Sequence, residues 1–164
     1  MMKKMKVVIL SDTHGYNDRM WKVLEEEAPY DMVIHCGDLE GAERQLRDKV
    51  DVALHMVAGN NDYSSELDRM QTFRIGNYKV LLTHGHRHRI YSDISPLYYL
   101  ARANEVDMVI FGHLHVPVVV EESGVTLLNP GSLTYPRQEN RRPSYMIMTL
   151  DEAGVAKYDV KYCR

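Results

Sequence analysis

Apolar residues along this chain gather into short continuous runs. Val7–Leu10 is uniformly apolar, the pattern of a strand covered on both faces. Asn17 or Asp18 then offers a helix cap, and Met20, Trp21 and Leu24 share one helical face, with Glu25, Glu26 and Glu27 outside it. Pro29 closes that helix. Met32–Ile34 predicts a second buried strand, Ala42–Asp48 a short helix, and Val52–Val57 a third strand running into Gly59. Strand, helix, strand, helix, strand implies a parallel sheet with right-handed crossovers.

The pattern then changes. Phe73–Ile75 and Lys79–Thr83 read as strands joined at Gly76-Asn77, a hairpin signal. Ser95-Pro96 reads as a cap followed by a first-turn proline, opening a helix with Leu97, Leu100 and Ala101 on one face. Met108–Phe111 is another buried strand. Val116–Glu121, Val125–Leu128, Tyr145–Leu150 and Val155–Val160 follow, with Gly124 and Gly154 at turns, so the chain is expected to end in antiparallel strands. The whole reads as one α/β domain over residues 1–164, two stacked sheets with helices outside.

Polar residues of one chemical kind sit where these runs stop. Asp12, Asp38, Asn60, His84 and His113 each closely follow a strand candidate. In α/β sheets ligands bind beyond the carboxyl ends of the strands, so groups far apart in sequence can meet there. On extended backbone, residues two apart point to one side, which makes Asp12 with His14, and His113 with His115, two-pronged grips. Two carboxylates, one amide and four imidazoles are a full ligand set for two divalent cations. These donors suit Mn²⁺, Fe²⁺, Co²⁺, Ni²⁺ or Zn²⁺, and no thiolate set exists for a structural zinc site. One Asp can bridge two cations. Cations roughly 3.5–4 Å apart can hold a bridging hydroxide for in-line attack on phosphorus while binding the phosphoryl oxygens.

Composition narrows the classes. The 164 residues carry a formal net charge of −3, so no global basic field points to nucleic acid or a membrane surface. Val7–Leu10 is too short for a signal core or a membrane span. Cys36 and Cys163 form no scaffold pattern, and reduced thiols in a cytoplasm are expected. His35 and His55 read as ordinary strand histidines, and the eleven tyrosines as packing residues unless some stack on a base or aryl group.

Taken together, Leu10-Ser-Asp-Thr-His14, His35-Cys-Gly-Asp38, Gly59-Asn-Asn-Asp62, Thr83-His-Gly-His86, Gly112-His-Leu-His115 and Asn129-Pro-Gly-Ser132 resemble the calcineurin-like metallophosphoesterases. The short chain and the wording of the motifs resemble the small phosphodiesterase subfamily called YfcE-like, from about Lys6 to about Val160. The resemblance implies a four-layer αββα sandwich of two mixed sheets. It implies that Asp12, His14 and His115 hold one metal, that Asn60, His84 and His113 hold the other, and that Asp38 bridges both. It implies two divalent ions, Mn²⁺ first among them, a small phosphodiester as substrate, and a homo-oligomeric habit.

Many members of the wider superfamily have a proton-donating His where this chain has Asn61. That leaves a metal-bound water or His86 as the acid for poor leaving groups. Asn61, Arg87 and Arg137 are the candidate substrate contacts. The His86–Arg89 run is either a solvated loop or a cationic rim, and Arg137, Arg141 and Arg142 either solvated or bordering the cleft. A phosphomonoesterase is the second enzymatic reading. A non-catalytic interaction scaffold of the same fold is the reading from another class.

Overall fold

The computed structural model describes residues 1–164. Ten strands and three helices follow in the order β1 (Met5–Leu10), α1 (Asp18–Glu27), β2 (Met32–His35), α2 (Glu43–Lys49), β3 (Ala53–Met56), β4 (Met70–Ile75), β5 (Tyr78–Thr83), α3 (Ser95–Ala103), β6 (Met108–Ile110), β7 (Pro117–Glu122), β8 (Val125–Pro130), β9 (Ser144–Leu150) and β10 (Ala156–Tyr162). They form two five-stranded sheets, ordered β10-β9-β1-β2-β3 and β4-β5-β6-β8-β7.

Alternation along β1 explains the layering. Val7 and Ile9 face the second sheet, in a core shared with Ile34, Met146 and Met148 of the first sheet and Val80, Leu82, Ile110 and Leu128 of the second. Val8 and Leu10 face the other way, onto Met20 and Leu24 of α1 and Leu46 of α2. A third core packs Leu97 and Ala101 of α3 under Leu81, Val109 and Leu127. Helices, sheet, sheet, helix is the expected four-layer αββα sandwich. A strand sandwiched between two cores has no face for polar residues, hence the unbroken apolar run.

Both sheets are mixed. β1, β2 and β3 are parallel, while β9 runs antiparallel to β1 and β10 to β9. In the second sheet β5, β6 and β8 are parallel, and β4 and β7 are antiparallel edges. The expected antiparallel strands do end the chain, β7 against β8 and β10 against β9, but they are divided between the two sheets. β8 pairs parallel with β6, and β9 and β10 return to the first sheet. Apolar patterning reports how many faces are covered, and β8 is buried along its whole length, but burial carries no direction.

Two caps also differ from expectation. Asn17 makes no side-chain cap bond. Ser95 is the first helical residue rather than the cap, and its N–H donates to Asp93 Oδ1 at 2.9 Å. Gly76-Asn77 does turn the β4–β5 hairpin, with Ile75 opposite Tyr78.

The core between the sheets sets their separation. Ile9→Ala should cost about 3 kcal/mol, from lost burial and the cavity left behind. Urea unfolding should show a lowered midpoint with an unchanged slope.

Candidate metal centre

Parallel strands of both sheets end at the same edge of the sandwich, and the turns leaving them carry the predicted donors. One oxygen, nitrogen or carboxylate atom from each of Asp12, His14, Asp38 and His115 lies within 4.8 Å of the others. His115 Nε2 is 3.0 Å from Asp12 Oδ1, and His14 Nε2 is 3.6 Å from Asp38 Oδ2 and 3.3 Å from His115 Nε2. On the far side of Asp38, His84 Nε2 is 3.3 Å from the same Oδ2 and 3.1 Å from Asn60 Oδ1. His113 lies beside His84, ring centroids 5.2 Å apart. Asp38 Oδ2 therefore faces both groups of donors. Asp12, His14, Asp38 and Asn60 come from the first sheet, and His84, His113 and His115 from the second.

The backbone reaches this arrangement by an unexpected route. Asp12, His14, Asp38, His113 and His115 all have φ between 51° and 69°. The two-pronged grips are thus left-handed turns and not extended segments. Such φ values cost a non-glycine residue about 1–2 kcal/mol each. Five donors sharing one unfavourable conformation is a signature of a site whose geometry is imposed by its surroundings.

Those surroundings include motif residues that are not among the predicted ligands. Asp62, in the Gly-Asn-Asn-Asp run, accepts from the N–H groups of Asp38 at 2.8 Å, Gly59 at 2.7 Å and Glu40 at 2.7 Å, locking two donor turns together. Ser11 Oγ donates to Asp12 Oδ2, and the His113 N–H donates to that oxygen at 3.1 Å. Ser132 Oγ donates to the Asp12 carbonyl at 2.8 Å and Asn129 Nδ2 to the Gly112 carbonyl at 2.9 Å, which gives the Asn-Pro-Gly-Ser loop its role. Glu40 Oε2 stands 3.2 Å from His14 Nδ1. Capping-type carboxylates and hydroxyls look like ordinary turn residues in sequence, which is why they were not legible as parts of the site. Two glycines are compulsory. A Cβ on Gly59 would collide with Asp38 Oδ1, and one on Gly112 with Ser11 Oγ.

Two of the four histidines are oriented as metal ligands would be. His84 Nδ1 donates to the Cys36 carbonyl and His115 Nδ1 to the Tyr135 carbonyl, both at 2.7 Å. That aims Nε2 of each ring at the carboxylates, the usual outer support of a metal-binding imidazole. Asp12 Oδ1 is buried and accepts no hydrogen bond. A fully buried carboxylate oxygen left without a donor, with three imidazole nitrogens within 4 Å of it, fits a divalent cation.

Charge supports the same reading. Burial opposes ionisation of Asp12, but the His84 charge and the approach of His115 and His14 hold its carboxyl well below the usual range. Burial likewise opposes ionisation of Asp38, yet His84 and the Asn61 hydrogen bonds bring it to about 2. For His84 burial disfavours the charged ring, while Asp12 and Asp38 raise it to about 9. Burial and the His84 charge lower His113 to about 4. Without a metal, the His84 proton offsets part of the charge of the carboxylate pair, and a cation bound there would compete with it.

The remaining candidates divide. Asn61 donates from N–H to Asp38 Oδ1 at 2.9 Å and from Nδ2 to Oδ2 at 3.0 Å, so it sits against the bridging carboxylate. His86 lies with its ring 5.5 Å from His84 and 6.1 Å from His113. Its Nδ1 is buried without a partner. Burial and the His84 charge lower its pKa. Arg87 and Arg137 are exposed, and neither side chain forms an ion pair; the Arg137 N–H donates to the His115 carbonyl at 2.9 Å. His35 is buried behind the site, its Nδ1 accepting from the Gly37 N–H and its Nε2 paired with Thr13 Oγ1. His55 stacks on Phe73, away from the donors.

Comparison with known proteins follows this geometry. The sequence profile of the calcineurin-like phosphoesterase superfamily domain matches residues 5–153. The chain is 35% identical over 158 residues to a probable metallophosphoesterase, YsnB, of Bacillus subtilis, covering 94% of this chain and 91% of that protein. Among solved structures, a predicted phosphoesterase of Streptococcus pneumoniae superposes with a TM-score of 0.81 at 26% identity, over 98% of this chain and 100% of that one. Vps29 of Entamoeba histolytica complexed with Zn²⁺ gives 0.75 at 27% identity, over 96% and 99%. A structure described as a novel archaeal phosphodiesterase gives 0.71 at 26%, over 96% and 100%.

The His84 shift has a pH consequence. Its folded value of about 9 exceeds the ordinary 6.5, so its stabilisation of the metal-free fold is complete below pH 6.5 and is lost as pH rises through about 9. With chelator present, the contribution of His84 should lower Tm between those pH values. Mn²⁺ should raise Tm more at pH 9 than at pH 6.5, because it no longer competes with the proton. Thermal denaturation at both pH values, with and without Mn²⁺, measures this.

Proposed function

This chain belongs to the calcineurin-like phosphoesterase superfamily, and from that premise we propose that it is a divalent-metal-dependent phosphodiesterase. The observation that carries the reading is Asp38 Oδ2 facing His14 on one side and His84 on the other. Asp12, His14 and His115 would hold one cation, Asn60, His84 and His113 the second, with Asp38 shared. Bound there, a cation pair supplies a hydroxide nucleophile at neutral pH and offsets charge on the phosphoryl oxygens. Mn²⁺ suits this mixed carboxylate, amide and imidazole set, with Ni²⁺, Zn²⁺, Fe²⁺ and Co²⁺ as alternatives. A cytoplasmic setting agrees with two unpaired cysteines, and no helix is long and apolar enough to cross a membrane.

The chain's own groups do the rest. Asp62 fixes the turn that presents Asn60 and Asn61. Asn61, already hydrogen-bonded to Asp38, orients the phosphoryl group. A diester carries one negative charge, so the cations with Arg87 and Arg137 at the rim suffice to hold it. His86 carries the proton to an alkoxide leaving group.

Asp38→Asn should lower kcat/KM for a chromogenic diester about 10³-fold. The wild type should prefer that diester over the matching monoester. The reverse preference would make the protein a monoesterase. Likeness to Vps29 supports the scaffold as a second reading, and a wild type that binds metal yet hydrolyses neither ester would favour it.

His86→Ala should slow an alkyl-leaving-group diester about 10²-fold and leave an aryl diester nearly unchanged. Equal effects on the two substrates would remove His86 from proton transfer.

A further inference from the structure

Five of the eleven tyrosines are exposed. Three of them, Tyr16, Tyr63 and Tyr91, stand on loops that carry metal donors; Tyr135 stands on the β8–β9 loop with its ring against the donor His14, and only Tyr99 lies elsewhere, on α3. Isolated exposed aromatics need no explanation, but a set confined to one mouth of the molecule does.

Two of these rings are fixed against the donors themselves. Tyr135 packs edge-on against His14, centroids 5.2 Å apart, and its carbonyl accepts from His115. Tyr16 packs edge-on against Tyr135 in turn, at 6.1 Å and 88°. Across the centre, Tyr91 lies 4.7 Å from His113, beside the fully buried Ile90. Each half of the metal centre thus carries its own exposed tyrosine against its outer imidazole. An exposed arginine without an ion pair lies two residues from each, Arg137 beyond Tyr135 and Arg89 before Tyr91.

We propose that the substrate is a phosphodiester joining two nucleosides, with one base stacked on Tyr135 and the other on Tyr91. This rests on the phosphodiesterase reading and names its substrate class. The two ester arms of a phosphate held at the cations diverge from phosphorus, and each meets one tyrosine. A base offers each ring a flat π-face, and stacking of this kind tolerates any base. Arg89 then reaches the next phosphate when the unit belongs to a single strand. The small negative net charge of the chain accords with a short ligand read locally and not with a long nucleic acid drawn by a global field.

The experiment compares dithymidine monophosphate, the methyl ester of thymidine monophosphate, and a five-thymidine strand on the Mn²⁺-loaded protein. Tyr91→Leu and Tyr135→Leu should each raise KM for dithymidine monophosphate about tenfold with kcat little changed. Tyr91→Phe and Tyr135→Phe should restore wild-type values, and Tyr99→Leu should change nothing. Saturation-transfer NMR, on metal-free protein, should show thymine protons in contact with the wild type and lose the signal in the Tyr91→Leu/Tyr135→Leu double variant. A lower KM and steeper salt dependence for the strand than for the dinucleotide would identify a strand end as the source. Equal values would identify the free dinucleotide. If the methyl ester is hydrolysed as efficiently as dithymidine monophosphate, or neither leucine variant shifts KM, this inference falls while the phosphodiesterase reading stands. If the wild type hydrolyses no diester, both fall.

Discussion

Two carboxylates buried at a seam between sheets are the constraint around which this structure is arranged. Asp12 is fully buried and Asp38 nearly so, and their closest shared neighbours are imidazoles. Charges in such a place survive only if opposite charge stands beside them. Without a metal the charge comes from protonated His84, pushed to about 9 by the pair it serves. A cation meets the same demand more completely, because it can also satisfy the orphaned Asp12 Oδ1. The affinity of the site for metal is in this sense the counterpart of an electrostatic debt incurred in folding.

That debt is held in place by backbone geometry. Left-handed residues at five donor positions are sustained by an outer layer of hydrogen bonds, donated by Ser11, Asn129 and Ser132 and accepted by Asp62. The first sheet contributes four of the donors and the second sheet three. Asp62 ties the turns after β2 and β3 to each other, while Ser132 and Asn129 tie the turn after β1 to the loop after β8 and the turn after β6.

Much of this was legible in the sequence, for identifiable reasons. Continuous apolar runs such as Val7–Leu10 can only be strands covered on both faces, so the layered fold follows from them. Donors placed just after those runs must gather at one edge of parallel sheets, so the membership of the cluster was readable before its geometry. What was hidden is what periodicity does not encode. β8 reads as buried but not as parallel. Asp12-Thr-His14 reads as a short grip but not as a left-handed turn, because that conformation is forced by neighbours distant in sequence. Asp62 reads as a turn residue because its three partners are backbone N–H groups that no side-chain pattern announces. The tyrosines were indistinguishable from packing residues until their positions around one opening were known.

Because the donors are divided between the sheets, the distance between them is a property of the layer in between. Side chains such as Ile9, Met146 and Leu82 act as spacers in a caliper whose jaws are the two sets of turns. A change of one methylene deep in that layer, far from any imidazole, would open or close the jaws and retune which ions seat well. Ion preference in this architecture can therefore drift through interior apolar substitutions while every coordinating residue stays the same.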